Sequence, residues 1–323
     1  MKILLTGAAG FIGMHTALAL CQAGHQVVGL DNLNDYYPVS LKQARLAQLH
    51  TQAGFRFVRG DIADAPALLA LFRHEAFDAV IHLAAQAGVR HSLVAPQAYV
   101  QSNLVGMANV LEACRQHPVR HLLYASSSSV YGNAQAPFSE QASTDQPQSF
   151  YAATKKAGEA MAYSYAQLYG LPCSGLRLFT IYGPWGRPDM APWLFTEALL
   201  AGRDLTVYNH GQSQRDFSYI DDIVNAMLAI LPLAPSGPGA PHRLLNLGQQ
   251  QAIPVLQLIQ QLETLTGRTA HKRYLDLQAG DVHATCADTS ALQALIGPQS
   301  LTPLSTGLGH FVDWFRQYHG HPH

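Results

Sequence analysis

The sequence of 323 residues predicts an α/β fold, a doubly wound parallel sheet with a smaller C-terminal lobe. Two observations carry this prediction: short apolar runs alternate with longer segments of helical periodicity, and the alternation ends near residue 180. Continuous apolar runs are typical of strands that are buried on both faces of a sheet. Six predicted strands lie at 2–6, 26–31, 55–60, 79–84, 121–126 and 173–179.

Two structural parts are expected on this basis. Residues 1–179, with about 216–248, are predicted to form a dinucleotide-binding domain, and 180–215 with 249–323 to form the smaller lobe. The stretch 231–241, rich in Pro, Gly and Ala, is typical of an exposed connection.

Composition narrows the classes of function. The chain has 20 Lys and Arg against 21 Asp and Glu, so it lacks the basic field that holds nucleic acid or an anionic membrane surface. No apolar run approaches the roughly 20 residues that cross a bilayer. The four cysteines are far apart and lack metal-ligand spacing, which argues against a metal site or a disulfide framework. We expect a cytoplasmic protein with no metal, no nucleic acid partner and no membrane partner.

A glycine-rich loop follows the first predicted strand and opens a helix. Its glycines permit a tight turn and let backbone amides approach a pyrophosphate at the helix N-terminus. The second predicted strand ends in an acidic residue about 20 positions later, where a carboxylate meets ribose hydroxyls. No Lys or Arg at 33–41 offsets that charge for a 2′-phosphate. The pattern predicts a Rossmann-type domain that binds NAD rather than NADP, through Gly7, Gly10, Phe11, Ile12, Gly13, Asp31 and Asn32.

Two further strand ends offer cofactor contacts. Asp61 and Ile62 follow the third predicted strand, where Asp61 either binds the adenine edge of the cofactor or caps the next helix. The fourth predicted strand runs into small residues that allow a close approach to the cofactor, or serve packing alone: Leu83, Ala84, Ala85 and Gln86.

Tyr151 and Lys155 are the strongest catalytic candidates. Their spacing of four places both side chains on one face of a helix. A nearby cation lowers the pKa of a tyrosine from its usual value of about 10. Ser127, at the end of the fifth predicted strand, can donate a hydrogen bond to the oxygen that Tyr151 deprotonates. A Tyr-x-x-x-Lys pattern alone is common, so its weight comes from its position after the glycine loop and this serine.

The glycine loop, the run Ser-Ser-Ser-Ser-Val-Tyr-Gly at 126–132 and Tyr-Ala-Ala-Thr-Lys at 151–155 together resemble the extended short-chain dehydrogenase/reductase family. Within it the chain is most similar to the NAD-dependent nucleotide-sugar epimerases that act as UDP-glucuronate 4-epimerases. The resemblance runs over nearly the whole chain and is weakest at 231–243 and beyond 288. Other matching segments are 31–37, 84–90, 180–190 and 214–222.

The resemblance implies a reaction and roles for the residues. Tyr151 would take the proton from the sugar O4 while a hydride passes from C4 to bound NAD, and the 4-keto sugar would turn over before taking it back. Ser127 would polarise O4, and Lys155 would bind the nicotinamide ribose. The smaller lobe would bind the nucleotide sugar, and a homodimer would form through helices near 99–115 and 151–169.

The resemblance also suggests substrate ligands. Thr180 and Arg187 would bind the uronate carboxylate, because a guanidinium pairs with a carboxylate by charge-assisted bonds. Arg215 would bind the diphosphate. The alternatives are that Arg215 forms an ion pair with Asp216 or Asp221 and that Arg187 is an ordinary surface arginine. Further substrate candidates are Arg90, Ser128, Gln278 and Asp281.

Proteins that have the same fold but another function differ in their substrate or in their catalytic residues. A UDP-glucose 4-epimerase differs mainly in its sugar preference. A 4,6-dehydratase or uronate decarboxylase carries acidic residues where this chain has Ser128 and Ser129, and a non-enzymatic NAD-binding protein often lacks the Tyr or Lys that are present here.

Overall fold

The computed structural model describes residues 1–278 and 280–320. The strands are β1 (Lys2–Thr6), β2 (Gln26–Asp31), β3 (Phe55–Arg59), β4 (Ala79–His82), β5 (His121–Ser127), β6 (Cys173–Leu178), β7 (Thr180–Tyr182), β8 (Leu205–Val207), β9 (Gln214–Tyr219), β10 (His242–Leu247), β11 (Ala252–Pro254) and β12 (Lys272–Tyr274).

The helices are α1 (Phe11–Gln22), α2 (Val39–His50), α3 (Ala65–Glu75), α4 (His91–Val94), α5 (Pro96–Tyr99), α6 (Gly106–Gln116), α7 (Phe150–Tyr169), α8 (Ala191–Leu200), α9 (Ile220–Ile230), α10 (Val255–Thr266), α11 (Ser290–Ile296) and α12 (Leu304–His319). A π-helical segment, Val100–Val105, joins α5 to α6, and 3₁₀ segments lie at Ser128–Tyr131 and Tyr208–Gly211.

Seven parallel strands form the central sheet in the order β10-β6-β5-β4-β1-β2-β3. The predicted fold class is confirmed, and the six predicted strands correspond to β1 to β6 with ends that differ by at most two residues. The sequence did not predict β10, a mixed run of polar and apolar residues at one edge of the sheet. The strand order reverses between β1 and β4, and in open parallel sheets this is where the ligand crevice lies.

Alternate residues of the strands build two apolar cores, one on each face of the sheet. On β1, Ile3 and Leu5 belong to the core that also contains residues of α1, α2 and α9, whereas Leu4 belongs to the core with residues of α3 and α6. This two-sided burial explains why these strands appear in the sequence as continuous apolar runs.

Two small sheets lie outside the central one. β9 pairs with β7 in parallel and with β11 in antiparallel orientation, and β12 pairs with β8. Residues 216–219, assigned from the sequence to the dinucleotide-binding domain, thus pair with strands at 180–182 and 252–254. The boundary between the two parts stays a prediction. No helix of the described ranges is long and apolar enough to span a membrane.

We predict that Gly13→Ala strongly lowers the free energy of unfolding. A Cβ at this position would collide with the carbonyl oxygen of Gly7 and lie 3.0 Å from the Cα of Ala8, and backbone atoms cannot move aside as a flexible side chain can. Gly309→Ala is the matched control, because this position lies within α12 and has no neighbouring atom within 4 Å of the new Cβ. The free energy of unfolding of this variant should rise by about 0.5–1 kcal/mol. Urea unfolding measures both, and equal stability of the two variants would contradict the packing described here.

Candidate active site

A cleft at the carboxyl ends of the central strands collects the predicted cofactor residues. Every one of them lines it, and so do Ser127 and Arg187. The residues with a predicted cofactor role in this cleft are Gly7, Gly10, Phe11, Ile12, Gly13, Asp31, Asn32, Asp61, Ile62, Leu83, Ala84, Ala85, Gln86, Tyr151 and Lys155. The structure thus brings together residues separated by up to 148 positions, while their contact with a cofactor stays a prediction.

Asp31 joins the glycine loop to the end of β2. One carboxylate oxygen accepts a hydrogen bond from the Ala9 amide at 3.1 Å, and the other accepts from the Leu33 amide at 2.8 Å. The side chain of Asn32 donates to Asp61 at 2.9 Å. Asp61 does not cap α3, because Asp64 does so by accepting from the Ala67 amide. The helix-cap interpretation of Asp61 is therefore wrong.

Lys42, which was not among the residues predicted from the sequence, is buried and lines the same cleft. Its ammonium donates to the main-chain oxygen and the side-chain oxygen of Asn34, both at 2.7 Å. Burial lowers the pKa of Lys42, and the negative charge of Asp31 opposes that effect. Lys42 lies directly after the stretch 33–41 that has no Lys or Arg, and the sequence does not indicate which way this side chain of α2 points.

The catalytic candidates lie where β5 packs against α7. The helix begins at Phe150, and the Ser149 hydroxyl accepts from the Ala152 amide as its N-terminal cap. Lys155 donates to the Ala125 carbonyl at 2.9 Å. Tyr151 faces Ser127, whose hydroxyl lies close enough to lower the Tyr151 pKa in part. The spacing of four thus places Tyr151 and Lys155 at one strand end, as predicted.

One helical turn further along α7, Glu159 forms a buried ion pair with Arg177 of β6. Arg177 donates to both carboxylate oxygens at 2.8 Å, and the Ser126 hydroxyl donates to one of them at 2.6 Å. Both side chains are almost fully buried. Removing one member of such a pair would leave the other charge buried without compensation. Glu159 and Arg177 therefore tie α7 to two central strands directly beneath the catalytic candidates.

Burial dominates the ionisation of the catalytic candidates. It raises the pKa of Tyr151, while the Ser127 hydroxyl and the charge of Arg187 lower it in part. Burial lowers the pKa of Lys155 to about 8, and the negative charge of Glu159 opposes this change. His82 of β4 has a pKa of about 3 because it is buried and close to Lys155. The spacing of Tyr151 and Lys155 predicted a lowered Tyr151 pKa, but in the protein alone desolvation is the larger effect and raises it.

Arg187 reaches the cleft but already has an acidic partner. Its Nε donates to Asp189 at 3.0 Å and its Nη2 donates to the second oxygen of that carboxylate. Tyr36, whose hydroxyl also donates to Asp189 at 2.9 Å, has its pKa raised to about 12 by burial and by that carboxylate. The edge formed by the two terminal nitrogens of Arg187 still offers N–H donors to a ligand. Arg187 is thus not an ordinary surface arginine.

Thr180 and Ser128 do not line this cleft. Thr180 begins β7 and is paired with Phe217 of β9, and Ser128 begins the 3₁₀ segment after β5. Ser129 is the serine that contacts Ser127, at 3.2 Å through both its amide and its hydroxyl.

The remaining substrate candidates form a second group. Asp281 lies 3.2 Å from Arg215 and 4.0 Å from Arg90, and Arg90 lies over the ring of Tyr208. Arg215 is therefore paired with neither of the two acidic residues proposed from the sequence; one of them, Asp216, accepts main-chain hydrogen bonds instead. The main-chain oxygen of Gln278 accepts from the Asp281 amide. Asp281 lines a second depression with residues that include Gly132, Asn133, Gln148, Gly280 and His283.

Within 1–278 and 280–320, no three His, Cys, Asp or Glu side chains are grouped as a metal site.

A parallel sheet that places a glycine loop beside a Ser, Tyr and Lys group defines a dinucleotide-dependent enzyme. Comparison with known proteins gives the family: a model of the NAD dependent epimerase/dehydratase family matches residues 3–248, and the chain belongs to this family.

Relatives share nearly the full length. The chain is 50% identical over 99% of both chains to an uncharacterized 37.6 kDa protein of Escherichia coli O111:H-. It is 47% identical to UDP-glucuronate 4-epimerase 4 of Arabidopsis thaliana over 99% of this chain and 76% of the relative. The Bacillus cereus UDP-glucuronic acid 4-epimerase, solved with UDP-glucuronic acid and NAD, superposes with a TM-score of 0.92 at 35% identity over 98% of this chain and 100% of that one.

We predict that Lys155→Met stabilises the cofactor-free protein at neutral pH while abolishing turnover. The Lys155 pKa is about 8 when folded and about 10.4 when unfolded. Between these values the unfolded chain binds more protons, so wild-type stability rises with pH there. Below pH 8 the variant should therefore be more stable by up to about 3 kcal/mol, and the difference should vanish above about pH 10.5.

Urea unfolding at pH 7 and pH 10.5 tests this prediction, with Lys156→Met as the neighbouring control that should show no such pH-dependent difference. A Lys155→Met protein that is less stable than wild type at pH 7 would contradict it.

Proposed function

We propose that this protein is a UDP-glucuronate 4-epimerase, an isomerase that interconverts UDP-glucuronate and UDP-galacturonate through a transient 4-keto sugar. The observation that carries the proposal is the presence of Arg187 in the same cleft as Ser127, Tyr151 and Lys155, close enough for its charge to act on the Tyr151 hydroxyl. Relatives that carry this activity by name, over nearly the whole chain, support it.

The residues present fit NAD. No side chain caps the N-terminus of α1, so its first amides are available to a pyrophosphate. Asp31 lies at the end of β2 with a carboxylate suited to ribose hydroxyls. When bound, NAD accepts a hydride from C4 of the sugar and returns it.

The chain's own residues handle the proton. Tyr151 would accept the proton of the sugar O4 as a general base, and Ser127 would donate a hydrogen bond to the same oxygen. Because burial raises the Tyr151 pKa, nearby positive charge is needed to favour the phenolate, and both Arg187 and Lys155 carry such charge. Glu159 opposes the loss of the Lys155 proton and so helps to keep that cation present near neutral pH.

Arg187 would bind the C6 carboxylate through its terminal nitrogens while Asp189 holds the other edge of the guanidinium. This contact has a chemical purpose beyond affinity. A uronate oxidised at C4 is a β-keto acid that can lose carbon dioxide, and a carboxylate held in a poor orientation for C–C cleavage is protected. Thr180 is proposed to add a hydroxyl contact.

The second group would bind the nucleotide part. Arg215 and Arg90 supply positive charge for the diphosphate, and Asp281, with Gln278 and Ser128, would contact the rest of the substrate. We also propose that residues 180–215 and 249–323 act as the substrate lobe on the dinucleotide-binding part.

Other activities of the fold are less well supported. Ser128 and Ser129 cannot perform the proton transfers that acidic residues perform in dehydratases and decarboxylases. The substrate of a neutral-sugar epimerase carries no C6 carboxylate for Arg187 to bind.

The deciding experiment is a substrate panel followed by NMR. The purified protein should interconvert UDP-glucuronate and UDP-galacturonate, and convert UDP-glucose far more slowly, because only a uronate provides a carboxylate for the edge of Arg187 that Asp189 leaves open. Tyr151→Phe is the control: it should retain NAD, seen by absorbance after denaturation, and lose turnover by at least about 100-fold. Conversion of UDP-glucose alone would overturn the uronate assignment, and full activity of Tyr151→Phe would overturn the mechanism.

We further propose a homodimer in the cytoplasm. Exposed apolar side chains on α7 and in the π-helical segment before α6 support the interface: Val105, Tyr163, Leu168 and Tyr169. All four cysteines are free thiols, as in a reducing compartment.

Sedimentation should therefore show a dimer at micromolar concentration. Leu168→Asp with Tyr163→Asp should shift it to a monomer, because charges would be buried in the interface. Leu194→Asp, at an exposed apolar residue of α8, is the control and should leave the dimer intact. A wild-type monomer would contradict this proposal.

A further inference from the structure

Arg45 of α2 is fully buried, yet it has no acidic partner among the residues that the structure describes. A buried charge destabilises a protein unless hydrogen bonds compensate for its lost hydration. Here five hydrogen bonds do so, and every acceptor is a neutral oxygen. Arg45 donates from Nε and Nη2 to the Trp185 carbonyl at 3.1 and 2.7 Å, and from Nη2 to the Gly186 carbonyl at 3.0 Å.

The two carbonyls belong to the peptides that lead directly into Arg187. Trp185 has a φ of 64°, a left-handed conformation that is strained for a bulky residue and persists only where its surroundings enforce it. Its ring packs against Trp314 and Tyr318 of α12 at 5.3 and 5.5 Å. The planar guanidinium of Arg45 binds the two carbonyls of this turn. It thereby fixes the backbone position from which the Arg187 side chain extends.

The same guanidinium also contacts the dinucleotide-binding half of the cleft. Its Nη1 donates to the Ala9 carbonyl of the glycine loop at 3.2 Å and to the Tyr37 hydroxyl at 2.6 Å. A second basic side chain acts alongside it, since His15 of α1 contacts the Pro184 carbonyl at 2.9 Å. The turn that carries Arg187 is thus bound to the glycine loop by Arg45 and to α1 by His15.

We propose that Arg45 is a positioning residue for uronate recognition, which fixes Arg187 relative to the dinucleotide loop and thereby contributes to the preference for an acidic over a neutral sugar. This inference rests on the proposed function. Recognition of a carboxylate by a guanidinium is directional, so a displaced Arg187 loses affinity for the uronate. A neutral sugar does not use that contact, and its affinity should change little.

The test measures dissociation constants for UDP-glucuronate and UDP-glucose by calorimetry, on NAD-loaded protein in the Tyr151→Phe background so that the sugars are not converted. Arg45→Lys keeps the charge but loses the planar fork, and Arg45→Met removes both. Each should raise the dissociation constant for UDP-glucuronate about tenfold or more, and that for UDP-glucose less than about threefold. Arg187→Ala gives the full loss of carboxylate recognition for reference.

Leu46→Ala is the matched control, because it removes a buried side chain from the same helix and leaves the five hydrogen bonds of Arg45 in place. It should lower stability without changing the ratio of the two dissociation constants. Parallel losses for both sugars in the Arg45 variants, or no loss, would overturn the inference. So would failure of both variants to fold, since a residue required for folding itself does not tune specificity. If the Tyr151→Phe reference shows no preference for UDP-glucuronate, the proposed function fails instead.

Discussion

The contact between the end of β5 and one face of α7 is the constraint on which the rest of the site depends. Three consecutive strand residues contact three helix residues spaced by four: Ala125 binds Lys155, Ser126 binds Glu159, and Ser127 faces Tyr151. The buried Glu159 and Arg177 pair extends this contact to β6. A shift of the helix along the strand would therefore break a buried ion pair as well as the catalytic arrangement.

Buried charge is used at several places around the cleft to hold main chain in position. Lys42 binds the loop after β2 through Asn34, and Arg45 binds the turn before Arg187. Charged residues make up only 13% of the chain, against about 25% in a typical protein. Several of these few charged residues thus hold main chain in position around the site, a role that composition alone does not reveal.

Much of the fold could be predicted because it depends on local pattern. Apolar runs located six strands, and glycine spacing located the loop after β1. The spacing of Tyr151 and Lys155 depends only on helix geometry, so it too was visible in the sequence. β10 was missed because an edge strand with polar residues does not produce a continuous apolar run. The position of Glu159, four residues after Lys155, indicated that it lies on the same helix face. Its partner Arg177 could not be identified in this way, because it belongs to β6.

The sequence by itself determined the fold class, the family resemblance and the group of cofactor candidates that line the cleft, since each follows from spacing along the chain. Only the tertiary structure decided the partners of the charged groups. It paired Arg187 with Asp189, Arg215 with Asp281 and Glu159 with Arg177. It also showed that burial raises the Tyr151 pKa, the opposite of what the spacing to Lys155 suggested. The physical reason is that desolvation and charge pairing depend on what surrounds a group in space, and residues distant in sequence supply most of those surroundings.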